Sequence, residues 1–284
     1  MKKEMIFGIL LGAMTVGTFA QENNKVFSCK VGAFEVSMLV ESQRKGNAGI
    51  LVGADEATLK RYIPIFGFFH ATNIFLVKGN GRNIVIDTAF GGASFESMKE
   101  LGVEPDQVDA ILITHLHGDH IGGLLKDGQV VFPKAAIYLS RLEYDYFTKT
   151  NPNQGAVAAL SAYGSRVQTF EPGELGGNLT ELLPGITPIA NYGHTPGHTV
   201  YLVENNGAKF LVIGDLLHVA LVQFPVPDIS ASYDMDQKAA AVVRRQILDY
   251  AAKNKIPVGG MHIVYPGAGM VETDGNGFRF VPSK

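Results

Sequence analysis

Thr114-His115-Leu116-His117-Gly118-Asp119-His120 is the stretch on which the reading of this chain turns. Four side chains able to bind a metal fall between positions 115 and 120. They follow Asp109-Ala110-Ile111-Leu112-Ile113, whose unbroken apolar run has the pattern of a strand buried on both faces. In an extended segment side chains alternate, so His115 and His117 point the same way. Gly118 lets the chain turn, and Asp119 and His120 can then aim into the same cavity. Neutral imidazoles with a carboxylate suit Zn²⁺ and related divalent ions. A lone histidine is more often structural, but three so close together, with an aspartate, read as a metal centre.

Further out, the same arrangement recurs. His194 follows the 185–190 segment and Tyr192-Gly193. Asp215 ends Leu211-Val212-Ile213-Gly214, and His262 ends Val258-Gly259-Gly260-Met261. Asp87 closes Ile84-Val85-Ile86. In α/β folds, sites gather outside the carboxyl ends of strands. Five of the eight histidines (115, 117, 120, 194 and 262) stand at such ends, which argues against random placement.

The intervening chain alternates strands and helices. Phe34–Val40 reads as a strand. Asn73–Val77 and Asn83–Asp87, separated by Lys78-Gly79-Asn80-Gly81-Arg82, read as a hairpin, and Thr199–Glu204 and Lys209–Gly214, flanking Asn205-Asn206-Gly207, read as another. Ala135–Leu139, Ile256–Gly260 and Phe278–Val281 are further strands. Helices are expected over Asp55–Tyr62, Ser94–Leu101, Leu142–Lys149, Ala156–Tyr163 and Met235–Lys253. Residues 21–30 read as an unstructured lead-in. No linker divides the halves, so residues 21–284 are expected to form one α/β domain.

The order His115-x-His117-x-Asp119-His120, then His194, Asp215 and His262, resembles the metallo-β-lactamase superfamily. The resemblance implies a four-layer αββα sandwich with two metal ions at one edge of the paired sheets. It implies that His115, His117 and His194 hold the first ion, that Asp119, His120 and His262 hold the second, and that Asp215 bridges them. Asp87 matches the aspartate that orients a metal ligand from behind, a role that suits the need of a metal-bound histidine for an acceptor. His198 is read as a structural or supporting histidine. The segments Gly193-His194-Thr195-Pro196-Gly197-His198-Thr199, 214–224 and 275–282 are similar to the methyl parathion hydrolase branch, related to acyl-homoserine lactone lactonases. That branch is exported and binuclear, and its members hydrolyse lactones, esters and in some cases phosphotriesters. A cysteine in place of Asp215 would mark the commonest true metallo-β-lactamases.

Two divalent ions, Zn²⁺ first with Mn, Fe or Co as alternatives, would activate a bridging water as hydroxide. Asp119 and Asp215 are then the catalytic carboxylates, with Asp119 passing a proton to the leaving group. The chain lacks Trp, so an aromatic pocket must come from Phe and Tyr. His218, Phe68, Phe69, Phe147 and Phe224 are the candidates to contact a neutral lactone or ester, because loops at ligand-bearing strand ends form pocket walls. Two other readings stay open: a mononuclear iron oxidoreductase on this fold, resembling persulfide dioxygenases, and a non-catalytic metal-binding protein.

Charge and ends narrow the setting. The net charge is −3 and there is no basic stripe, so the expected partner is a small molecule rather than nucleic acid. A homodimer is compatible with the sequence. Lys2 and Lys3, the apolar run 5–16 and Thr18-Phe19-Ala20 have the three-part pattern of a signal peptide. The expectation is export to the periplasm or medium, a mature chain starting at Gln21, and no membrane contact thereafter. Cys29 is the single cysteine and pairs with nothing inside the chain.

Overall fold

The computed structural model describes residues 26–284. The expected signal peptide, residues 1–20, and the cleavage point before Gln21 lie outside the described residues. Two β-sheets carry the fold. The first has seven strands in chain order: β1 (Val26–Val31), β2 (Phe34–Lys45), β3 (Phe69–Gly79), β4 (Arg82–Ile86), β5 (Ala110–Leu112), β6 (Ala136–Ser140) and β7 (Val167–Phe170). β1 to β4 run antiparallel, and β4 to β7 are parallel. The second sheet holds β8 (Ile186–Ala190), β9 (Thr199–Asn205), β10 (Ala208–Val212), β11 (Val258–Gly259), β12 (Ala268–Asp274) and β13 (Gly277–Pro282). Within it only β10 and β11 are parallel.

Parallel neighbours need crossovers, and helices supply them. Helix α1 (Glu56–Tyr62) lies in the long excursion between β2 and β3. Helix α2 (Ala93–Glu100) joins β4 to β5, and the single turn α3 (Gly118–Ile121) follows β5. Helices α4 (Arg141–Asp145) and α5 (Gln154–Tyr163) join β6 to β7. The short α6 (Ala220–Gln223) and the long α7 (Gln237–Asn254) span the gap from β10 to β11. Both hairpins turn where expected. Asn80 and Gly81, and Asn206 and Gly207, all have positive φ, as Asn-Gly turns of this kind require.

Strand alternation explains the continuous apolar runs. Ala110 and Leu112 enter the layer between the sheets with Val36, Met38, Phe75, Tyr201, Phe210 and Val212. Their neighbours Ile111 and Ile113 face the other way, into the layer under α2 and α5 with Met98 and Leu160. Across the molecule, Leu211 and Ile213 pack under α7 against Ile247, Leu248 and Ala251. The result is a helix–sheet–sheet–helix sandwich of four layers, the architecture expected.

Three local expectations are corrected. The lead-in is not unstructured from Val26 onward, because β1 pairs along its whole length with β2, and Ser28 Oγ meets Ser37 Oγ at 2.7 Å. The helix expected over Leu142–Lys149 is interrupted: α4 gives way to a π turn over Tyr146–Thr150. Such widened turns re-aim side chains and recur at functional sites; here Phe147 lies buried within it. The strand expected over Ile256–Gly260 shrinks to Val258–Gly259.

Candidate metal centre

The ligand-type residues come together at one end of the two sheets. His115 and His117 lie on the segment leaving β5, and Asp119 and His120 lie in α3. His194 follows β8, Asp215 follows β10 and His262 follows β11. Among the described residues, His115, His117, His194 and Asp215 form one group and Asp119, His120 and His262 another, and these two hold the expected ligands; His218 joins Asp215 and His262 in a third group and His194 and Asp234 in a fourth, and in each the ligand atoms lie within 4.8 Å of one another. Asp215 stands between the first two. Its Oδ2 is 3.7 Å from His115 Nε2, 3.3 Å from His194 Nε2 and 3.0 Å from His262 Nε2, and its Oδ1 is 3.1 Å from His120 Nε2.

The hydrogen bonds behind these rings fix where their lone pairs point. Asp87 Oδ2 accepts from the Thr114 hydroxyl at 2.6 Å and faces His120 Nδ1 at 2.7 Å. Thr114 Oγ1, its own proton spent on Asp87, is left to accept from His115 Nδ1 at 3.1 Å. His262 Nδ1 faces the Ala71 carbonyl at 2.8 Å, and His194 Nδ1 faces Asp234 Oδ1 at 2.9 Å. In its neutral form each of these rings therefore carries its proton at Nδ1 and presents a bare Nε2 to the centre. His115 Nε2, His117 Nδ1 and His194 Nε2 form a triangle with edges of 3.0, 3.0 and 3.2 Å. A tetrahedron with metal–nitrogen bonds of about 2.0 Å has edges of about 3.3 Å. His120 Nε2 and Asp215 Oδ1 are buried, face each other and have no hydrogen-bond partner. Acceptors converging on acceptors are costly unless a cation lies between them. The donor set thus fits divalent metal ions of the zinc type.

The electrostatics divide the rings. Burial drives His115 well below its ordinary value and His117 down to about 4, with neighbouring histidines adding to the effect. Burial also opposes protonation of His120, but Asp215, Asp87 and Asp119 outweigh it and hold that imidazole well above its usual range. Burial would raise Asp215, yet His120, His262 and His115 pull its carboxyl well below the ordinary carboxylate range. A proton and a metal ion compete for the same lone pairs here.

Two glycines let the loops close around the centre. Gly193 has φ +136°, and a Cβ there would lie 2.3 Å from the Ala240 backbone nitrogen. Gly214 has φ +54°, and a Cβ would sit 2.4 Å from His198 Nε2. His198 is fully used: its Nδ1 donates to the Asn191 carbonyl at 3.1 Å, and its Nε2 accepts from the Asp215 backbone N–H at 3.0 Å. It supports the Asp215 loop and has no lone pair left for an ion.

The proposed pocket residues part company. His218 Nε2 lies 3.1 Å from Asp215 Oδ2, and its buried Nδ1 has no partner. Phe147 meets the His117 ring edge to face at 6.0 Å, but it is 7% exposed and belongs to the core under α2 and α5, so it backs the ligand rather than lining an open pocket. Phe224 does not line a pocket, because it is 2% exposed and stacks on Phe280 at 4.9 Å inside the outer core. Phe68 fills a small satellite cluster with Val219, Val222 and Ile229. Phe69 is 62% exposed. It points away from the side on which its strand neighbour His70 approaches His262. Phe224→Ala is accordingly expected to cost about 3–5 kcal/mol of stability, the range for emptying a core aromatic site. Its kcat/KM below the unfolding transition should change less than about twofold, since 1.36 kcal/mol of barrier would already be tenfold. Thermal melts beside steady-state assays check both, and a large loss of kcat/KM in well-folded protein would return Phe224 to the pocket.

Sequence reasoning missed several residues. Glu143, fully buried in α4, accepts from Leu116 N at 2.8 Å, Thr195 Oγ1 at 2.7 Å and Gly197 N at 2.9 Å. It ties the His115–His120 loop to the His194 loop. Asp234 and Arg244 back His194. Tyr233, 54% exposed, brings its ring to 5.6 Å from His218. Arg244 did leave a signal, as a charged residue on the apolar stripe Ala240, Ile247, Leu248, Ala251.

The description of the metallo-beta-lactamase superfamily matches residues 67–255. The chain belongs to that superfamily. Among solved structures it is similar to the hydrolase AbOPH of the beta lactamase superfamily, with 26% identity and a TM-score of 0.83, over 92% of this chain and 98% of that one. It shares its fold with the dizinc quorum-quenching lactonase AidC, at 24% identity and a TM-score of 0.78, over 93% of this chain and 99% of that one. The protein YobT of Bacillus subtilis (strain 168) is 29% identical over 161 residues, 54% of this chain and 65% of YobT. No helix among the described residues is long and apolar enough to cross a membrane.

Proposed function

We propose that this superfamily member is a hydrolase holding two divalent metal ions, with a neutral lactone or ester as substrate. The observation that carries this is Asp215, whose carboxylate faces both imidazole groups at 3.0–3.7 Å. His115, His117 and His194 would hold one ion, Asp119, His120 and His262 the other, and Asp215 would belong to both. Such ions lower the pKa of water and polarise a carbonyl or phosphoryl oxygen. The chain's own residues do the rest. Asp87 and Thr114 fix the tautomers of His120 and His115. Asp119, whose side chain is 33% exposed, is the carboxylate open to the substrate side and is placed to carry a proton to the leaving group. His218 and Tyr233 stand on one flank and Phe147 on another.

Arg244, linked to the centre through Asp234, is buried and spent on the carbonyls of Leu216, Pro227 and Ile229. It offers nothing to an anionic substrate, while the exposed Tyr233 offers apolar surface to an acyl or aryl arm. The similarity to the hydrolase AbOPH supports the reaction class. Export to the periplasm or medium remains part of the proposal.

A panel on zinc-loaded protein tests this reading, comparing acyl lactones and aryl esters with phosphate monoesters, phosphodiesters and β-lactams. The best neutral ester or lactone should exceed every anionic phosphoester in kcat/KM by at least about tenfold, the equivalent of 1.4 kcal/mol of differential binding. A phosphomonoester that outperforms all neutral substrates would overturn the substrate class. One iron per chain with oxygen consumption would overturn the reaction.

A further inference from the structure

The backing of His194 is built differently from that of the other rings. Asp234 is fully buried; its Oδ1 meets His194 Nδ1 at 2.9 Å. Its Oδ2 accepts two donors, Ala231 N–H at 2.9 Å and Arg244 Nη2 at 3.2 Å. Arg244, 1% exposed on α7, spends its other donors on backbone: Nε on Leu216 O at 2.6 Å, and Nη1 on Pro227 O and Ile229 O at 2.9 Å each. Leu216 directly follows Asp215. The entry to α7 adds two bonds, Met235 N to His194 O at 3.1 Å and Asp236 N to Gly193 O at 2.8 Å. Helix α7 therefore grips the His194 loop and the Asp215 loop through one arginine–aspartate pair.

We propose that Asp234, anchored by Arg244, is the positioning residue that holds His194 protonated at Nδ1 and aims its Nε2 lone pair at the first metal group. It does for that group what Asp87 does for His120 in the second. His115 and His117 come from the first sheet and His194 from the second, so the first group exists only while the two halves are held in register. The proposal rests on the reading of the centre as two metal sites.

Asp234→Asn tests it through chemistry rather than shape. Two donors converge on Oδ2, so the asparagine keeps its carbonyl oxygen there and turns its NH₂ toward His194 Nδ1. That nitrogen must then accept, the ring proton moves to Nε2, and the lone pair owed to the metal is lost. Zn²⁺ uptake by equilibrium dialysis should show two ions in the wild type. In the variant one site should be weakened by about 10- to 100-fold, the usual effect of removing such an outer partner, with the other within about threefold of wild type. Co²⁺ absorption should show the same one-site loss, and Asp87→Asn should show it for the other site. Unchanged affinity at both sites in Asp234→Asn, with two ions in the wild type, would overturn this proposal alone. A wild type that takes up no metal would remove the reading beneath it as well. Should the variant not fold, ¹⁵N NMR of His194 in the metal-free wild type decides the point: a proton at Nδ1 supports the proposal, and a proton at Nε2 overturns it.

Discussion

Asp215→Ala is expected to empty both metal groups and to lower kcat/KM by about 1,000-fold or more, some 4 kcal/mol of barrier. The reason lies in position. Among the described residues, Asp215 is the one carboxylate within 3.7 Å of ligand atoms in both groups. Removing it takes a ligand from each shell and leaves five imidazole lone pairs facing one another without a shared anion. It also removes the charge that, with Asp87 and Asp119, opposes burial at His120. A residue belonging to one group alone should behave differently. His218→Ala is the instructive contrast. His218 meets Asp215 Oδ2 at 3.1 Å, so the change takes away a neighbour of the bridging carboxylate and leaves both groups with their own ligands. It should retain both ions and shift KM or kcat by about 10- to 100-fold, the cost of one strong hydrogen bond or contact. Metal stoichiometry by elemental analysis, measured beside kinetics, separates the two. If His218→Ala loses metal while Asp215→Ala keeps two ions, the assignment of Asp215 as the shared ligand is wrong.

What the sequence could reveal follows from how each residue does its work. His115, His117, Asp119 and His120 are adjacent in the chain, and their closeness is a local fact. Asp87, His194, Asp215 and His262 are distant, but each ends a run that alternates between two buried layers, as Ala110 and Leu112 alternate with Ile111 and Ile113. That pattern is readable without coordinates. The residues behind the ligands are not so readable. Glu143 acts by receiving three donors from two loops, and Asp234 by receiving Arg244 from the following helix. Those partnerships depend on where helices α4 and α7 land, which no short-range pattern encodes. Phe68, Phe69 and Phe224 stand away from the centre for a related reason. Phe224 and Tyr233 both follow Asp215 in sequence, yet Phe224 turns into the core against Phe280 while Tyr233 reaches His218. Residue type and distance from a ligand do not say which way a side chain in the loops around α6 turns. Strand β1 was missed because its alternation is weak, with Ser28, Cys29 and Lys30 in its centre, and its pairing comes from β2 rather than from its own pattern.

Withdrawing the metal should change stability as well as activity. Chelation of the loaded protein is expected to abolish hydrolysis and to lower Tm by on the order of 15–25 °C. An ion present at about 1,000 times its dissociation constant contributes about 4 kcal/mol to the folded state, because the unfolded chain does not assemble the ligands. Two ions double that. For chains of about this length each 1 kcal/mol corresponds to about 2–4 °C, with the lower figure suited to 259 described residues. The folded state should nonetheless survive chelation. Its three main apolar layers lie between and outside the sheets and do not include the ligands. Far-ultraviolet circular dichroism should stay native-like at room temperature, and re-addition of metal should restore the melt. The choice of ion is also constrained. Five of the seven proposed ligands are histidines, so Zn²⁺, Co²⁺ or Mn²⁺ should restore activity. Mg²⁺ should not, since it prefers oxygen donors and gives up its waters reluctantly. Full activity and an unchanged melt after exhaustive chelation, with the metal shown to be gone, would mean that the converging lone pairs serve some purpose other than holding ions.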